Sequence, residues 1–244
     1  MTPKRLYKYQ PISTRSLENL VSRALYFGSP QNFNDPYDCA LSAKVTDLTH
    51  EQLARIRKRL PLPAGLGPTD EEIIKLLQST SQDTITNTIQ NTLRNRGVCC
   101  FSEKNDNLLM WSHYASQGAG MCLEFDTGGP TFSLLHKVVY SPEFPVIDLE
   151  RMLCNEDYDQ ITEMYCTKSQ DWSYEQEWRL LHKEAGTRYQ YADKELTGVY
   201  FGSRTTAEIR VVVGNLARML NPTDDLWLGE LSDASFRLNF TRIP

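Results

Sequence analysis

Two glutamates separated by one residue are the first candidates for chemistry in this sequence. Glu175 and Glu177 lie in "YEQEWRL" (174–180), a pattern typical of a strand. Side chains two positions apart on a strand share a face, which places the two carboxylates about 7 Å apart. Mutual repulsion separates their proton affinities, so one can stabilise a developing cation while the other accepts a proton. The alternative is a solvated strand on which Glu177 pairs with Arg179.

A turn-rich loop, "NFNDPYD", supplies a second set of polar side chains. Asn34, Asp35 and Asp38 are either ligands or the residues of an Asx-type turn that holds the loop. A metal-dependent nuclease or phosphodiesterase is the corresponding hypothesis, since a bound metal activates water. Its cation site would be formed by Asp35, Asp38, His113 and Glu177. No spacing demands this site, and we assign no metal ligand.

The segment "VCCFSEKNDNLLMWSHYASQGAG" carries a strand that ends at Ser102 and then a short aromatic helix. Trp111, Tyr114 and Ala115 follow the i, i+3, i+4 spacing of a stripe that faces the core. The helix is therefore either ordinary packing or a platform for a ligand, and His113 is either structural or catalytic.

These residues need a sheet to position them, and the sequence predicts an α+β fold. Strands and helices follow one another without the regular alternation of a doubly wound sheet, so we expect a single domain (1–244) with a mixed or antiparallel sheet. Residues 42–97 have a helical pattern and are predicted to form an insertion or lid. The other predicted elements are strands near 5–9, 25–27, 98–101, 120–125, 136–140, 174–182, 198–202 and 235–240, and helices within 14–25, 145–168 and 205–220.

Composition limits the class of protein. The 244 residues, 40% hydrophobic and 23% charged, are typical of a globular chain. No apolar run of about 18 residues and no apolar signal region at the N-terminus are found, which predicts a cytoplasmic protein that does not enter a membrane. Six cysteines without a C-x-x-C spacing are expected to be reduced and mostly buried. A net charge of −5 argues against a protein that coats nucleic acid.

The motifs "LYKY", "LYFGSPQNFNDPYD", "VCCFSEKNDNLLMWSHYASQGAGMCLEFD" and "WSYEQEWRLL" together resemble a bacterial family of unknown function over nearly the whole chain. A weaker resemblance is to ADP-ribosyltransferases, including the DNA-modifying DarT toxins. It rests on "LYK" (6–8), on "CFS" (100–102) with "SHYA" (112–115), and on "EQEWRLLH" (175–182). This resemblance implies a split sheet and the use of NAD as a substrate.

The second resemblance also implies roles for individual residues. Glu177 would hold the ribose and stabilise the oxocarbenium-like state that forms when the nicotinamide bond breaks. Glu175 would position or deprotonate the acceptor. NAD itself would be bound by Tyr7, Lys8, Ser102, Tyr114, Asn34 and Asp35, with Tyr114 stacked on nicotinamide. Lys8 stands where these enzymes usually carry arginine or histidine.

Three hypotheses follow. The first is an NAD-dependent ADP-ribosyltransferase-like enzyme, in the role of a toxin or phage-defence effector, with an unknown protein or nucleic-acid acceptor and an antitoxin or immunity partner. For it, Glu177→Gln is expected to abolish activity and leave the fold intact. The second is a non-catalytic module that binds a nucleotide or a partner. The third is the metal-dependent nuclease or phosphodiesterase.

Overall fold

The chain forms two compact units in the computed structural model. The sheet unit comprises Met1–Asn32, Arg96–Val138 and Asp171–Pro244, and the second unit comprises Phe33–Asn95 and Val139–Gln170. The residues that the structure describes are 2–44, 49, 51, 69, 71–72, 87, 95–148, 151–152, 157–220 and 225–243. Most of the helical insertion predicted at 42–97 lies outside these described residues.

The described elements are strands and helices in mixed order. The strands are β1 (Arg5–Gln10), β2 (Ala24–Tyr26), β3 (Ser42–Lys44), β4 (Gly97–Ser102), β5 (Met121–Asp126), β6 (His136–Lys137), β7 (Val139–Ser141), β8 (Val146–Asp148), β9 (Thr167–Ser169), β10 (Glu177–His182), β11 (Arg188–Gln190), β12 (Leu196–Phe201), β13 (Asp225–Leu231) and β14 (Leu238–Ile243). The α-helices are α1 (Thr14–Val21), α2 (Leu108–Tyr114), α3 (Asp159–Tyr165) and α4 (Ala207–Leu220).

An eight-stranded mixed sheet is the framework of the sheet unit. Its strand order is β14-β13-β12-β5-β1-β4-β10-β6. The pair β12 and β13, joined through α4, is parallel, and the other pairs are antiparallel. The prediction of an α+β fold with a mixed sheet is therefore confirmed.

The ladder between β1 and β4 is unusually short. Tyr7 and Ser102 form the one residue pair between these strands, whereas β1 pairs with β5 along its whole length from Arg5 to Gln10. Beyond Tyr7 these two strands form no further residue pair, so theirs is the shortest ladder of the eight-stranded sheet.

One face of the sheet carries the larger hydrophobic core. Five strands each contribute to it a side chain that is at least 95% buried, namely Leu6, Phe101, Leu123, Leu180 and Val199. Leu20 of α1 and Val213 and Ala217 of α4 join this cluster. We call this the apolar face.

The opposite face carries a smaller cluster and the buried polar side chains of the sheet strands, namely Ser102, Glu124, Glu177 and Arg179. Tyr9, Cys122 and Tyr200 of the sheet pack there against Met110 and Trp111 of α2. We call this the site face, because the candidate residues Tyr7, Ser102 and Glu177 lie on it.

The second unit contains two short parallel ladders. They pair β3 with β8 and β7 with β9. The side chain of Gln160 in α3 accepts a hydrogen bond from the Asp148 amide at 2.7 Å and donates to its carbonyl at 3.3 Å. The helical material predicted at about 145–168 is present as α3, while β8 occupies the start of this range and β9 begins at its end.

Candidate functional site

A row of four side chains crosses the site face of the sheet. Glu124 of β5 is the register partner of Tyr7 in β1, Tyr7 that of Ser102 in β4, and Ser102 that of Glu177 in β10. Register partners point to the same face, and neighbouring strands lie about 4.8 Å apart, so Tyr7 and Glu177 are separated by roughly 10 Å. The sheet thus brings together three predicted residues from distant parts of the chain.

Glu177 and Arg179 form a buried, two-pronged ion pair. Arg179 donates from Nε to Oε1 and from Nη2 to Oε2 of Glu177, both at 2.8 Å. The side chains are 5% and 0% exposed. The alternative that Glu177 pairs with Arg179 is therefore confirmed, but the pair is buried and not on a solvated strand. Fork-like geometry of this kind fixes the orientation of the carboxylate.

Glu175 does not share a strand face with Glu177, contrary to the alternation argument. It ends a 3-10 segment, Gln170–Glu175, and the next residue, Gln176, has a left-handed φ of 45°. This backbone reversal breaks the period of two, because β10 begins only at Glu177. Glu175 is nevertheless 2% exposed, so both carboxylates are buried.

Two predicted site residues hold Glu175 in place. The Tyr114 hydroxyl donates to Oε1 of Glu175 at 2.6 Å, and the Ser102 hydroxyl donates to its backbone carbonyl at 2.6 Å. Ser102 Oγ also accepts from the Lys104 amide at 3.1 Å. Ser102 therefore ties the end of β4 to the residue that the resemblance assigns to the acceptor.

Helix α2 positions Tyr114 from both of its ends. At its start, the Asn107 side chain accepts from the amides of Leu109 and Met110, which is a standard N-cap. Trp111 is 2% exposed and its indole Nε1 donates to the Asn105 carbonyl at 2.7 Å. The predicted core stripe is confirmed for Trp111, while Tyr114 one turn later is half-buried. The helix serves both as packing and as the support of a polar contact.

A glycine after this helix allows the chain to enter β5. A Cβ at Gly120 would lie 2.6 Å from the Gln10 carbonyl and 2.8 Å from the backbone of Ala115. Side chains are not tolerated at such distances, so the segment after α2 passes close to β1 only with glycine at this position.

Aromatic rings surround the exposed side of α2. The His113 ring lies 6.1 Å from Trp172 and 6.5 Å from Tyr174, measured between centroids, and Trp172 lies 6.0 Å from Tyr174. Asn107 Nδ2 donates to the Tyr174 carbonyl at 3.3 Å, which links the 3-10 segment to the helix cap. Planar ligands stack on rings of this kind.

Glu124 collects hydrogen bonds at the other end of the row. Its carboxylate accepts from Tyr200 at 2.7 Å and from Thr197 at 2.8 Å, and lies 3.3 Å from Arg5. Burial, and then the charge of Glu124 and a hydrogen bond to it, raise the pKa of Tyr7. Burial, and then its own hydrogen bond to Glu124 and the charge of that carboxylate, raise the pKa of Tyr200. Tyr7 consequently stays protonated and keeps a fixed donor.

The Lys8 side chain points away from the site face. It follows Tyr7 on β1, so its side chain leaves from the apolar face, where its ammonium lies 5.3 Å from the Phe101 ring centroid. The ammonium donates to the Cys100 carbonyl at 3.2 Å. The structure thus brings Tyr7, Ser102, Tyr114, Glu175 and Glu177 together and gives Lys8 contacts of its own.

Asn34 and Asp35 belong to the second unit. Asp35 Oδ1 accepts from the Tyr37 amide at 2.9 Å, which confirms the Asx-type turn. Asp35 is 7% exposed, and its other carboxylate oxygen, Oδ2, is buried without a hydrogen-bond partner among the residues that the structure describes. Nearby in sequence, Asp38 pairs with Lys168 at 3.4 Å, and both side chains are buried.

Neither metal clusters nor membrane spans are found in the part of the chain that the structure describes. Among those residues, no three His, Cys, Asp or Glu side chains are placed to hold a metal ion. Likewise, no described helix is both long enough and apolar enough to cross a bilayer. The five described cysteines form no disulfide with one another, and burial raises the pKa of the Cys122 thiol, as expected for an unreactive core residue.

Sequence reasoning missed Glu124. The available signal was a single carboxylate inside the otherwise apolar strand "MCLEF", and a charged residue in such a run is buried only with partners. Trp172 was also missed, because its importance comes from the approach of the 3-10 segment to α2.

Comparison with known proteins supports a family of unknown function. Residues 110–180 match the family model described as "Protein of unknown function (DUF2971)". The expected resemblance to such a family is confirmed over this stretch, which contains Tyr114, Glu175 and Glu177. No curated protein and no solved structure matches the chain.

Proposed function

We propose that this protein is an ADP-ribosyltransferase-like enzyme that breaks the nicotinamide glycosidic bond of NAD. The observation that carries the proposal is the cross-strand register of Tyr7, Ser102 and Glu177. The resemblance to ADP-ribosyltransferases assigns these residues to one site from three separate segments. Their alignment on adjacent strands, at the short ladder between β1 and β4, supports that assignment.

Glu177 is suited to stabilise the cation that forms on the ribose. As the bond from ribose C1′ to the nicotinamide nitrogen breaks, its electron pair leaves with nicotinamide and positive charge develops on the sugar. Arg179 donates one hydrogen bond to each carboxylate oxygen of Glu177, which keeps the carboxylate in a fixed orientation. A ribose hydroxyl group that binds this carboxylate would add a hydrogen bond to those that Glu177 already accepts.

Glu175 and Tyr114 are suited to the acceptor side of the reaction. The acceptor nucleophile attacks C1′ and loses a proton, and a carboxylate within hydrogen-bond reach takes it. The bond from Tyr114 to Oε1 of Glu175 orients the carboxylate for this role. Because Tyr114 is half-buried, its ring also offers a surface for nicotinamide.

The direct test is release of nicotinamide and transfer of label when the pure protein is incubated with labelled NAD and cell extract. Glu175→Gln is expected to lower transfer at least about a hundredfold, the usual contribution of a general base. Glu18→Gln is the matched control, since Glu18 forms an exposed pair with Arg188. Absence of both nicotinamide release and label transfer in the unaltered protein would overturn the proposal.

Glu177 needs a paired substitution in this test. Glu177→Gln leaves the buried Arg179 guanidinium without a counter-charge, so the expectation that the fold stays intact does not follow from the structure. The double change Glu177→Gln with Arg179→Gln removes both charges together. It is expected to be folded by circular dichroism and to lack activity.

A cellular measurement addresses the proposed role as a toxin or phage-defence effector. Expression of the unaltered protein should slow growth and lower cellular NAD, whereas Glu175→Gln should do neither. Equal growth with both proteins, together with activity in vitro, would separate the chemistry from a toxic role.

A second candidate is a non-catalytic binding module, and Asp35 favours it. A buried acceptor oxygen without a donor costs about 1–3 kcal/mol, and a ligand that supplies the donor recovers this free energy. This reading predicts thermal stabilisation by a nucleotide without turnover, and its loss in Asp35→Ala. Stabilisation that Asp35→Ala leaves unchanged would remove this candidate.

A further inference from the structure

A cleft beside the candidate site has the dimensions and lining of a ligand site. Its volume is about 590 Å³, within the range of roughly 300–1,000 Å³ that holds small molecules. Its walls include Leu109 at the start of α2, Tyr174 and Gln176 before β10, and Phe236 in the turn between β13 and β14.

We propose that this cleft binds a nucleotide unit, an aromatic base with its phosphate, and that this unit is the acceptor of the ADP-ribosyl group. The acceptor role rests on the proposed function. Binding of the nucleotide does not, since it depends only on the cleft.

Apolar and aromatic side chains provide the surface for a base. Phe236 is 98% exposed and Leu109 is 49% exposed, although both are large hydrophobic residues. Tyr174 lies on the same cleft. Aromatic rings bind nucleobases by stacking, irrespective of their sequence, so the exposed Phe236 ring is available to cover a planar ligand.

Cations at the cleft provide for a phosphate. Lys104 and Arg237 line it and are exposed, and neither forms an ion pair with any described residue. Asp106 is the one carboxylate among the residues that line the cleft. Two cations against one acid favour an anionic ligand, in a chain whose net charge is −5.

Gln176 connects the cleft to the proposed chemistry. It lines the cleft, while its neighbours Glu175 and Glu177 are buried on either side of it. The left-handed backbone at Gln176 produces this separation. Glu103 N–H donates to the Gln176 carbonyl at 3.1 Å, which fixes the segment to the end of β4. A group bound in the cleft therefore lies next to the segment that carries the proposed base.

Calorimetric titration of the full chain with 5′-AMP and with a short single-stranded DNA tests the proposal. Phe236→Ala and Arg237→Ala are each expected to weaken binding about tenfold, as loss of a base stack or a phosphate contact does. Tyr189→Ala and Arg218→Ala are matched controls, because both residues are exposed and lie outside the cleft. The controls should bind like the unaltered protein.

The two probes distinguish the source of the nucleotide. Binding of 5′-AMP alone indicates a free nucleotide, and stronger binding of the strand indicates a nucleic acid; either result supports the site. No binding of either probe, or binding that both cleft variants leave unchanged, overturns it.

Nicotinamide release without any nucleotide is measured separately. If release is absent while binding depends on Phe236 and Arg237, the acceptor role falls and the nucleotide site stands. If release occurs and nucleotides do not bind, the site is overturned and the proposed function is unaffected.

Discussion

The two faces of the central sheet bury very different chemistry. On the apolar face, side chains such as Phe101 and Phe125 pack through their rings, with centroids 5.9 Å apart. On the site face, Glu124, Glu177 and Arg179 are at least 95% buried and each is held by hydrogen bonds. The same strands supply both faces by alternation of their side chains.

The apolar face serves stability, and the site face carries the residues of the proposed function. Apolar burial stabilises the sheet without directional contacts, whereas buried charges add little net stability and depend on every partner. Changes on the apolar face should therefore lower stability alone, and changes on the site face should affect activity, titration or both. Four predictions test this division.

The largest effect is expected from Phe125→Ala on the apolar face. Phe125 is 0% exposed and contacts the rings of Phe101, Phe132 and Tyr191. The cavity and the lost transfer free energy should lower the free energy of unfolding by about 3–5 kcal/mol in urea denaturation. Nicotinamide release per folded molecule should be unchanged. A loss below about 1 kcal/mol would place Phe125 outside a close-packed core.

Breaking the ion pair on the site face should be nearly as costly. Arg179→Leu leaves the buried Glu177 carboxylate without its partner and should lower the free energy of unfolding by about 3 kcal/mol. The double change of Glu177 and Arg179 to leucine should recover most of this loss. Urea denaturation of the four proteins in the cycle measures the coupling, and additive losses would contradict a paired arrangement.

Glu124→Gln should have a smaller effect on stability. The amide group keeps the volume but presents a donor to the hydroxyl groups of Tyr200 and Thr197, which now donate to Glu124. We expect a loss of about 1–3 kcal/mol, measured by urea denaturation. Ultraviolet titration should show lower pKa values for Tyr7 and Tyr200, because the charge of Glu124 helps to raise both. Glu230→Gln, at an exposed position of β13, is the control.

The smallest effect is expected at alkaline pH. The pKa values of Tyr7, Tyr9 and Tyr200 are raised in the folded protein, chiefly by burial. Above the ordinary tyrosine value of 10.0, the unfolded chain releases these protons first, so the free energy of unfolding should fall as pH rises further. In Tyr200→Phe the slope of this fall should be shallower. An unchanged slope would contradict a raised pKa at Tyr200.

Local sequence patterns predicted those strands and helices whose own residues carry a clear pattern. Alternation marked β1, short apolar runs marked β4 and β5, and the spacing of apolar residues marked α1 and α4. β13 was not predicted, and β14 begins at Leu238 rather than 235, because the pattern "LWLGELSDASFRLNF" does not define where the hairpin turns.

The candidate site was predicted as a set of residues but not as a geometry. Strand register is a tertiary property, so the row from Glu124 to Glu177 could not be derived from spacing. The positive φ of Gln176 is uncommon for a residue other than glycine, and no local sequence pattern predicted it. The burial of Arg179 likewise depends on the strands and helix around it.

The short ladder between β1 and β4 makes the sheet mechanically unequal. β1 and β4 are joined by the Tyr7–Ser102 pair and by the hydrogen bond from the Lys8 ammonium to the Cys100 carbonyl. The other neighbouring strands of the sheet have more links over a comparable length. Parting the sheet here breaks few backbone hydrogen bonds. Local opening of the sheet should therefore begin between β1 and β4. The amides of β1 beyond Tyr7 that face β4 should exchange with solvent before those of β12.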